Sequence, residues 1–342
     1  MNPFTQILGT HRLRKVRPPV PVVARIAVST RAIFGPWGGG NQWLLQFARY
    51  MGFCGYEVTS DLRGEVDCII IQHNGLTGAM SFRDSDIAAY KKAHPSVRVV
   101  HRINDNDVRK GTGEMDALMA RYNALADHTV FISEWLRDHH AAKWFDVTRP
   151  HSCILNGADP AVFHPVGSRT WKSGEPFRLV THHWADNPMK GFAEYAALDG
   201  LIADGTLPNV ELWIIGRWPA DIVWKKARTF APCAGPALAG LLRECHGYLT
   251  ASRWEPGGMH FIEGLQCGLP IAFHEDGGGI PELARKYGVG FRDNIASAIH
   301  SLMAAYAGKD GFREKVLAHP PSGDAMCIAY REIVQRVLAE RN

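Results

Sequence analysis

Residues 252–272 read SRWEPGGMHFIEGLQCGLPIA. Glu255 precedes the glycine pair Gly257 and Gly258, and Glu263 stands eight positions after Glu255. At ~3.6 residues per turn, a helix opening near Gly258 carries Glu263 and leaves Glu255 in the loop ahead of it. Both carboxylates can then address one ligand lying across the helix N-terminus. Glycines lack Cβ atoms, so backbone N–H groups can approach a diphosphate, and the helix dipole favours negative charge at that end. Carboxylates are also good acceptors for sugar and ribose hydroxyls. Two glutamates at this separation equally describe solvated side chains flanking a glycine turn, so the surroundings decide.

Those surroundings alternate short β-branched runs with longer amphipathic stretches, the pattern of βαβ units and a parallel sheet. Strands are expected at 247–250 and 269–272 on either side of the segment, and at 177–180 and 210–215 before it. An earlier series is expected at 22–28, 68–71, 97–100, 129–132 and 152–155, with the loop GPWGGG and a helix over 41–51 after the first strand. Between the two series, NGADP at 156–160, Phe163-His164-Pro165 and a polar stretch over 167–176 read as turn chemistry and linker. Apolar residues recur at helical spacing over 325–338 and predict a closing helix. The expected organisation is an N-terminal Rossmann-like domain over 1–165, a second over 166–324 and the closing helix over 325–342. In doubly wound folds of this kind ligands bind outside the carboxyl ends of the strands.

Bulk composition narrows the function classes. A chain of 342 residues, 46% apolar and 21% charged, can bury two cores. Its 38 basic and 34 acidic residues are too evenly matched to make nucleic acid a bulk partner. The seven cysteines are scattered singly, without the paired spacing of a zinc site, and read as reduced thiols of a cytoplasmic protein. No run approaches the ~20 apolar residues that span a bilayer. His11, Arg12, Arg14, Lys15 and Arg17 form a basic arm that is either a solvated leader or a peripheral contact with anionic lipid at the inner face of a membrane.

In this context the segment resembles the E-x7-E motif of GT-B glycosyltransferases, in particular the large family 4 of retaining enzymes. CGLPIA after the helix, HEDGGGIPEL with Gly277, Gly278, Gly279 and Glu282, the phrase ILNGADPAVFHP and the loop GPWGGGN extend the likeness over most of the chain. The resemblance implies two Rossmann-like domains facing across a cleft, with the C-terminal helix packing back towards the first. It implies that Glu263 binds the ribose, that Glu255 lies by the donor sugar, and that Gly258, Met259 and His260 offer backbone donors to the diphosphate. Lys190 and Gly191 match the family's lysine-glycine pair. The arginine expected six or seven residues earlier is absent, and His182, His183 and Trp184 occupy that region. Arg217, after the next strand, is a candidate replacement cation.

In the first domain, Gly38, Gly39, Gly40 and Asn41 lie between a strand and a helix, which suits close approach of a diphosphate or acceptor, or simply makes a flexible turn. His101 is expected at a strand end, where family members often carry a histidine near the donor sugar. A neutral imidazole there can bond a hydroxyl or accept a proton. Arg102, Asn104 and Asp105 follow it, and His73 and Asn74, ending the preceding strand, are acceptor-side candidates. Asp105-Asn106-Asp107 imitates a metal-binding D-x-D but falls in the wrong half to hold a donor diphosphate.

The expected function is retaining transfer of a sugar from a UDP-, GDP- or ADP-sugar to a hydroxyl acceptor, without metal or other cofactor, in bacterial polysaccharide or glycolipid synthesis. The rivals are a GT-B epimerase or hydrolase acting on donor alone, and a non-catalytic sugar-nucleotide-binding protein, the latter motivated by the absent arginine.

Overall fold

The computed structural model describes residues 22–73 and 80–340; Asn74 and the basic N-terminal arm lie outside them. The first sheet holds β1 (Arg25–Val28), β2 (Glu57–Thr59), β3 (Cys68–Gln72), β4 (Arg98–Ile103), β5 (His128–Phe131) and β6 (His151–Cys153) in the order β2-β1-β3-β4-β5-β6. The second holds β7 (Phe177–His183), β8 (Val210–Gly216), β9 (Arg228–Phe230), β10 (Gly247–Thr250), β11 (Ile271–His274) and β12 (Gly288–Phe291) in the order β12-β11-β10-β7-β8-β9. All pairings within both sheets are parallel. Runs such as Ile69-Ile70-Ile71 in β3 are buried on both faces, as strands covered by helices on each side must be.

Strand order reverses between β1 and β3 in the first sheet and between β7 and β10 in the second. Open α/β sheets bind ligands at such switch points, beyond the carboxyl ends of the strands. The segments after β1 and β3 carry Gly38 to Gly40, at the start of a helix, and His73, and those after β7 and β10 carry Lys190 and Glu255.

Helix Gly323–Ala339 closes the chain against the first domain. Its buried Met326, Cys327, Tyr330, Ile333, Val334 and Val337 recur at helical spacing and join the core of β1, β3 and helix Gly39–Phe53. Tyr330 meets Trp43 and Phe47 edge-on, at ring-centroid separations of 5.1 and 6.0 Å. Burying each such side chain contributes roughly 1.5–3 kcal/mol. The outgoing and returning chains cross where Gly323 N donates to Ala158 O at 2.7 Å. A Cβ on Gly157 would lie 2.3 Å from Ser322 O, so this crossing needs glycine.

Three short strands were not expected: β2, β9 and β12. The strand expected over 97–100 also runs on to Ile103, which places His101 inside β4 instead of at its end.

Candidate functional site

The second domain's half of the site comes from the two strands flanking its switch point. After β7 the chain makes a short 3-10 turn, Pro188–Lys190, whose Asn187 side chain accepts from Met189 N at 2.8 Å. Lys190 is thereby fixed and buried. After β10, a loop leads into helix Met259–Gln266, whose N-cap Gly258 supplies no side-chain cap, so no side chain caps the N–H groups of its first turn. Trp254 in that loop has φ +54°, the one non-glycine residue with positive φ among the described residues. Gly278, at φ +69°, lets a second loop pass beneath; a Cβ there would lie 2.6 Å from Glu255 O.

The first domain grips this loop by its carbonyls. Asn106, after β4, donates to Trp254 O at 3.3 Å; Ser133, after β5, to Pro256 O at 2.5 Å; Asn156, after β6, to Gly257 O at 2.6 Å. Glu282 in turn accepts from Glu134 N at 3.0 Å and Trp135 N at 2.5 Å, where its charge suits the N-terminus of helix Glu134–Ala141. Glu255 is therefore held at the seam of the two domains.

Its carboxylate accepts from Lys190 Nζ at 2.5 Å and from Arg109 Nε of the first domain at 3.1 Å. Burial opposes the charge on Glu255, but Arg109 and Lys190 outweigh it and hold the carboxyl well below the usual range. Burial also opposes the charge on Arg109, and Glu255 and Asp105 more than restore it. For Lys190 burial prevails over Glu255 and lowers the ammonium below its ordinary value. Lys110 pairs with Asp105 at 3.0 Å beside them. Glu263 stays within its own domain: His182 Nε2 donates to it at 2.8 Å, leaving Nδ1 to accept from Tyr248 OH at 3.0 Å. His260 lines the same space; burial and nearby Lys190 keep it neutral, and its Nε2 lies 2.9 Å from Thr250 Oγ1.

These groups surround a cleft of about 280 Å³ with residues from both domains. Several buried polar atoms on its walls have no hydrogen-bond partner among the described residues: both ring nitrogens of His73, Oδ1 of Asn104 and Nδ1 of His183. A buried polar atom left unpaired costs about 1–3 kcal/mol.

No family model matches the sequence, and no curated protein does. Solved structures do match over nearly the whole chain. Sucrose-phosphate synthase from Thermosynechococcus elongatus superposes with a TM-score of 0.66 at 15% identity, over 94% of this chain and 100% of that one. Anabaena HepE, solved in complex with UDP-glucose, gives 0.65 at 13% identity over 91% and 99%. WaaG, a glycosyltransferase involved in lipopolysaccharide biosynthesis, gives 0.61 at 12% identity over 90% and 99%. The chain has the GT-B fold. At these identities the likeness concerns architecture, and roles must be argued from the site.

Across this GT-B cleft the structure brings together Glu255, Lys190, Glu263, Met259, His260, Gly39, Gly40 and His73. Gly258 stands at the helix N-cap, and Gly39 packs so closely on Met259 that a Cβ would lie 2.9 Å from its Cβ. Other expected site residues are placed elsewhere. His101 is wholly buried in β4, beside Asn123 Nδ2 at 3.3 Å, and does not line the cleft; the strand's extension to Ile103 carries it inward, and His73 is the first-domain imidazole at the wall. Asn41 pins the preceding loop, its side chain bonded to Ile33 N and O at 2.7 and 2.5 Å. Arg102 reaches the cleft floor but is engaged by Tyr330 OH at 3.1 Å and Asn156 Oδ1 at 2.8 Å, with its guanidinium 4.6 Å from the Trp43 ring centre. Arg217 is exposed, donating to Trp184 O at 3.0 Å, 5.9 Å from the Trp37 ring centre.

Arg109 and Lys110 were missed by sequence reasoning. The available signal was a basic pair one residue beyond the D-N-D run at the carboxyl edge of β4. Asp116, His139 and His140 are close enough together to suggest a metal centre. Their donors are committed, however: Lys143 and His139 hold Asp116, Trp144 donates to His140 Nδ1 at 3.0 Å, and His140 Nε2 bonds Asp105 O at 3.1 Å. A second, largely apolar cavity of about 510 Å³, bordered by Phe34, Leu45, Val162, Phe163 and Gly235, shares Glu263 with the cleft.

Proposed function

We propose that this protein transfers a sugar from a nucleoside-diphosphate sugar to a hydroxyl acceptor, with retention of anomeric configuration and without a metal ion. The carrying observation is that Lys190 and the uncapped N-terminus of helix Met259–Gln266 share one cleft with Glu255 and Glu263, beside the switch point of the second sheet. A buried ammonium and a helix N-terminus suit a diphosphate. Glu263, common to both cavities, takes the ribose hydroxyls, and the base extends towards Val162, Phe163 and Gly235. The sugar lies towards Glu255, with His73 and Asn104 facing the acceptor side.

The acceptor oxygen bonds the anomeric carbon on the face from which the nucleotide departs. The bond to the β-phosphate oxygen breaks with its electron pair passing to that oxygen, and the acceptor proton passes to a phosphate oxygen. Fixed cations that meet this growing charge without rearranging are an effective source of catalysis. Among the described residues no helix is long and apolar enough to cross a membrane. We place the reaction in the cytoplasm, in bacterial polysaccharide or glycolipid synthesis, with the basic N-terminal arm at the inner membrane face when the acceptor is a lipid.

The test is incubation with UDP-, GDP- and ADP-sugars, with and without hydroxyl acceptors, in buffer containing a chelator. Release of nucleoside diphosphate that depends on acceptor and ignores the chelator supports the proposal. Turnover lost in chelator and restored by manganese contradicts metal independence. Full turnover on donor alone indicates an epimerase or hydrolase, and nucleotide binding without any turnover a binding protein.

A further inference from the structure

We propose that Arg109 of the first domain is the second cation on the donor's departing diphosphate, forming with Lys190 a clamp that spans the two domains. This rests on the donor reading above. The second domain lacks an arginine of its own here: Trp184 stands six residues ahead of Lys190, and the guanidinium of Arg217 is exposed and turned to Trp184 O. Arg109 reaches the same point from the opposite side. Its Nε and Lys190 Nζ bond the two oxygens of one carboxylate, Glu255, at 3.1 and 2.5 Å. The spacing that lets two cations share a carboxylate also lets them share two oxygens of a phosphoryl group.

The guanidinium has capacity to spare. Its Nη1 is 3.6 Å from Asp105 Oδ1, beyond hydrogen-bonding distance, and Nη2 has no hydrogen bond among the described residues. Its backbone is well anchored: Asn106 caps the short helix Asp107–Lys110 by accepting from Arg109 N at 2.8 Å, and also donates to Trp254 O, one residue before Glu255. The planar fork of arginine matches phosphate oxygens in pairs and stays protonated throughout, so it neither gives nor takes the transferred proton. Arg109 and Lys190 belong to different domains, and Glu255 already brings the two cations together across the cleft.

The test compares nucleoside diphosphates with their monophosphates by calorimetry, using UDP, GDP and ADP against UMP, GMP and AMP. Arg109→Gln should weaken the tightest diphosphate by roughly tenfold or more while moving the matching monophosphate by about twofold or less. Arg109→Lys, which keeps the charge, should fall between wild type and Arg109→Gln and guards against a folding defect. The double variant Arg109→Gln/Glu255→Gln separates contact from neutralisation. If Arg109 touches phosphate, the double variant stays weak. Restored diphosphate affinity in it, or equal losses for mono- and diphosphate in Arg109→Gln, would overturn the assignment and leave Arg109 as a partner of Glu255. A wild type that binds none of the three diphosphates sinks the donor reading itself, and this clamp with it.

Discussion

Glu255 and Glu263 belong to one short segment yet keep different company. Glu255 lies in a loop, shared by a lysine of its own domain and an arginine of the other. Glu263 lies on a helix and is held by His182 of its own domain, with Tyr248 behind. The first carboxylate is an electrostatic joint between domains, and the second is a hydrogen-bond acceptor positioned locally. One motif therefore carries two physical jobs, and substitutions should separate them.

The largest effect is expected from Glu255→Ala. Removing the carboxylate leaves buried Lys190 without its counter-charge and Arg109 without its principal partner, a change that typically costs about 3–5 kcal/mol. Urea unfolding should show it, and a bound nucleoside diphosphate should restore more stability to this variant than to wild type. A loss below about 1 kcal/mol would mean the pair is as well screened as a surface ion pair.

Glu263→Gln can still accept from His182, so its stability loss should stay within about 1.5 kcal/mol. Its affinity for nucleoside diphosphates should fall roughly tenfold, because a charged acceptor for ribose hydroxyls becomes a neutral one. Unchanged affinity would remove Glu263 from the ribose site and end the contrast. On the acceptor side, His73→Ala sacrifices no hydrogen bond among the described residues. It should lower acceptor-dependent turnover by about tenfold, the size of one lost hydrogen bond and below the range of general acid–base effects, with diphosphate affinity unchanged. Burial and nearby Arg121 bring the His73 imidazole down to about 4, so it is neutral at physiological pH and acts as a hydrogen-bonding group there.

The smallest expected effect is the pH dependence of stability. The carboxyl of Glu255 is depressed below its ordinary 4.5 in the folded protein, so the unfolded chain binds its proton first as pH falls. Its contribution should be complete above about pH 5 and decline as pH drops below about 4.3 towards the depressed value. The stability gap between wild type and Glu255→Gln should be flat from about pH 5 to 8 and narrow in acid. A gap that stays flat down to about pH 3 would show that Glu255 is not depressed in the folded protein.

The sequence made the second domain's half of the site legible because its parts are contiguous: a loop, a glycine pair and a helix within one segment, and Lys190 just past a strand. The first domain's half is spread over Asn104 to Arg109 after β4, Ser133 after β5 and Asn156 after β6, and only the sheet order brings them together. Residue spacing carries no trace of that. The three unexpected strands, β2, β9 and β12, all lie at sheet edges. An edge strand pairs on one side only and is short, and here reads as Glu-Val-Thr, Arg-Thr-Phe and Gly-Val-Gly-Phe, without the apolar run of a central strand. His101 is misplaced by a boundary: β4 runs three residues beyond the expected 97–100, and the pleat decides which side chain meets the cleft.

The most direct test of the central claim is a crystal structure with the tightest-binding nucleoside diphosphate. The β-phosphate is expected within hydrogen-bonding distance of Lys190 Nζ, and the ribose hydroxyls on Glu263. A diphosphate bound away from Lys190, with Glu263 still turned only to His182, would contradict it.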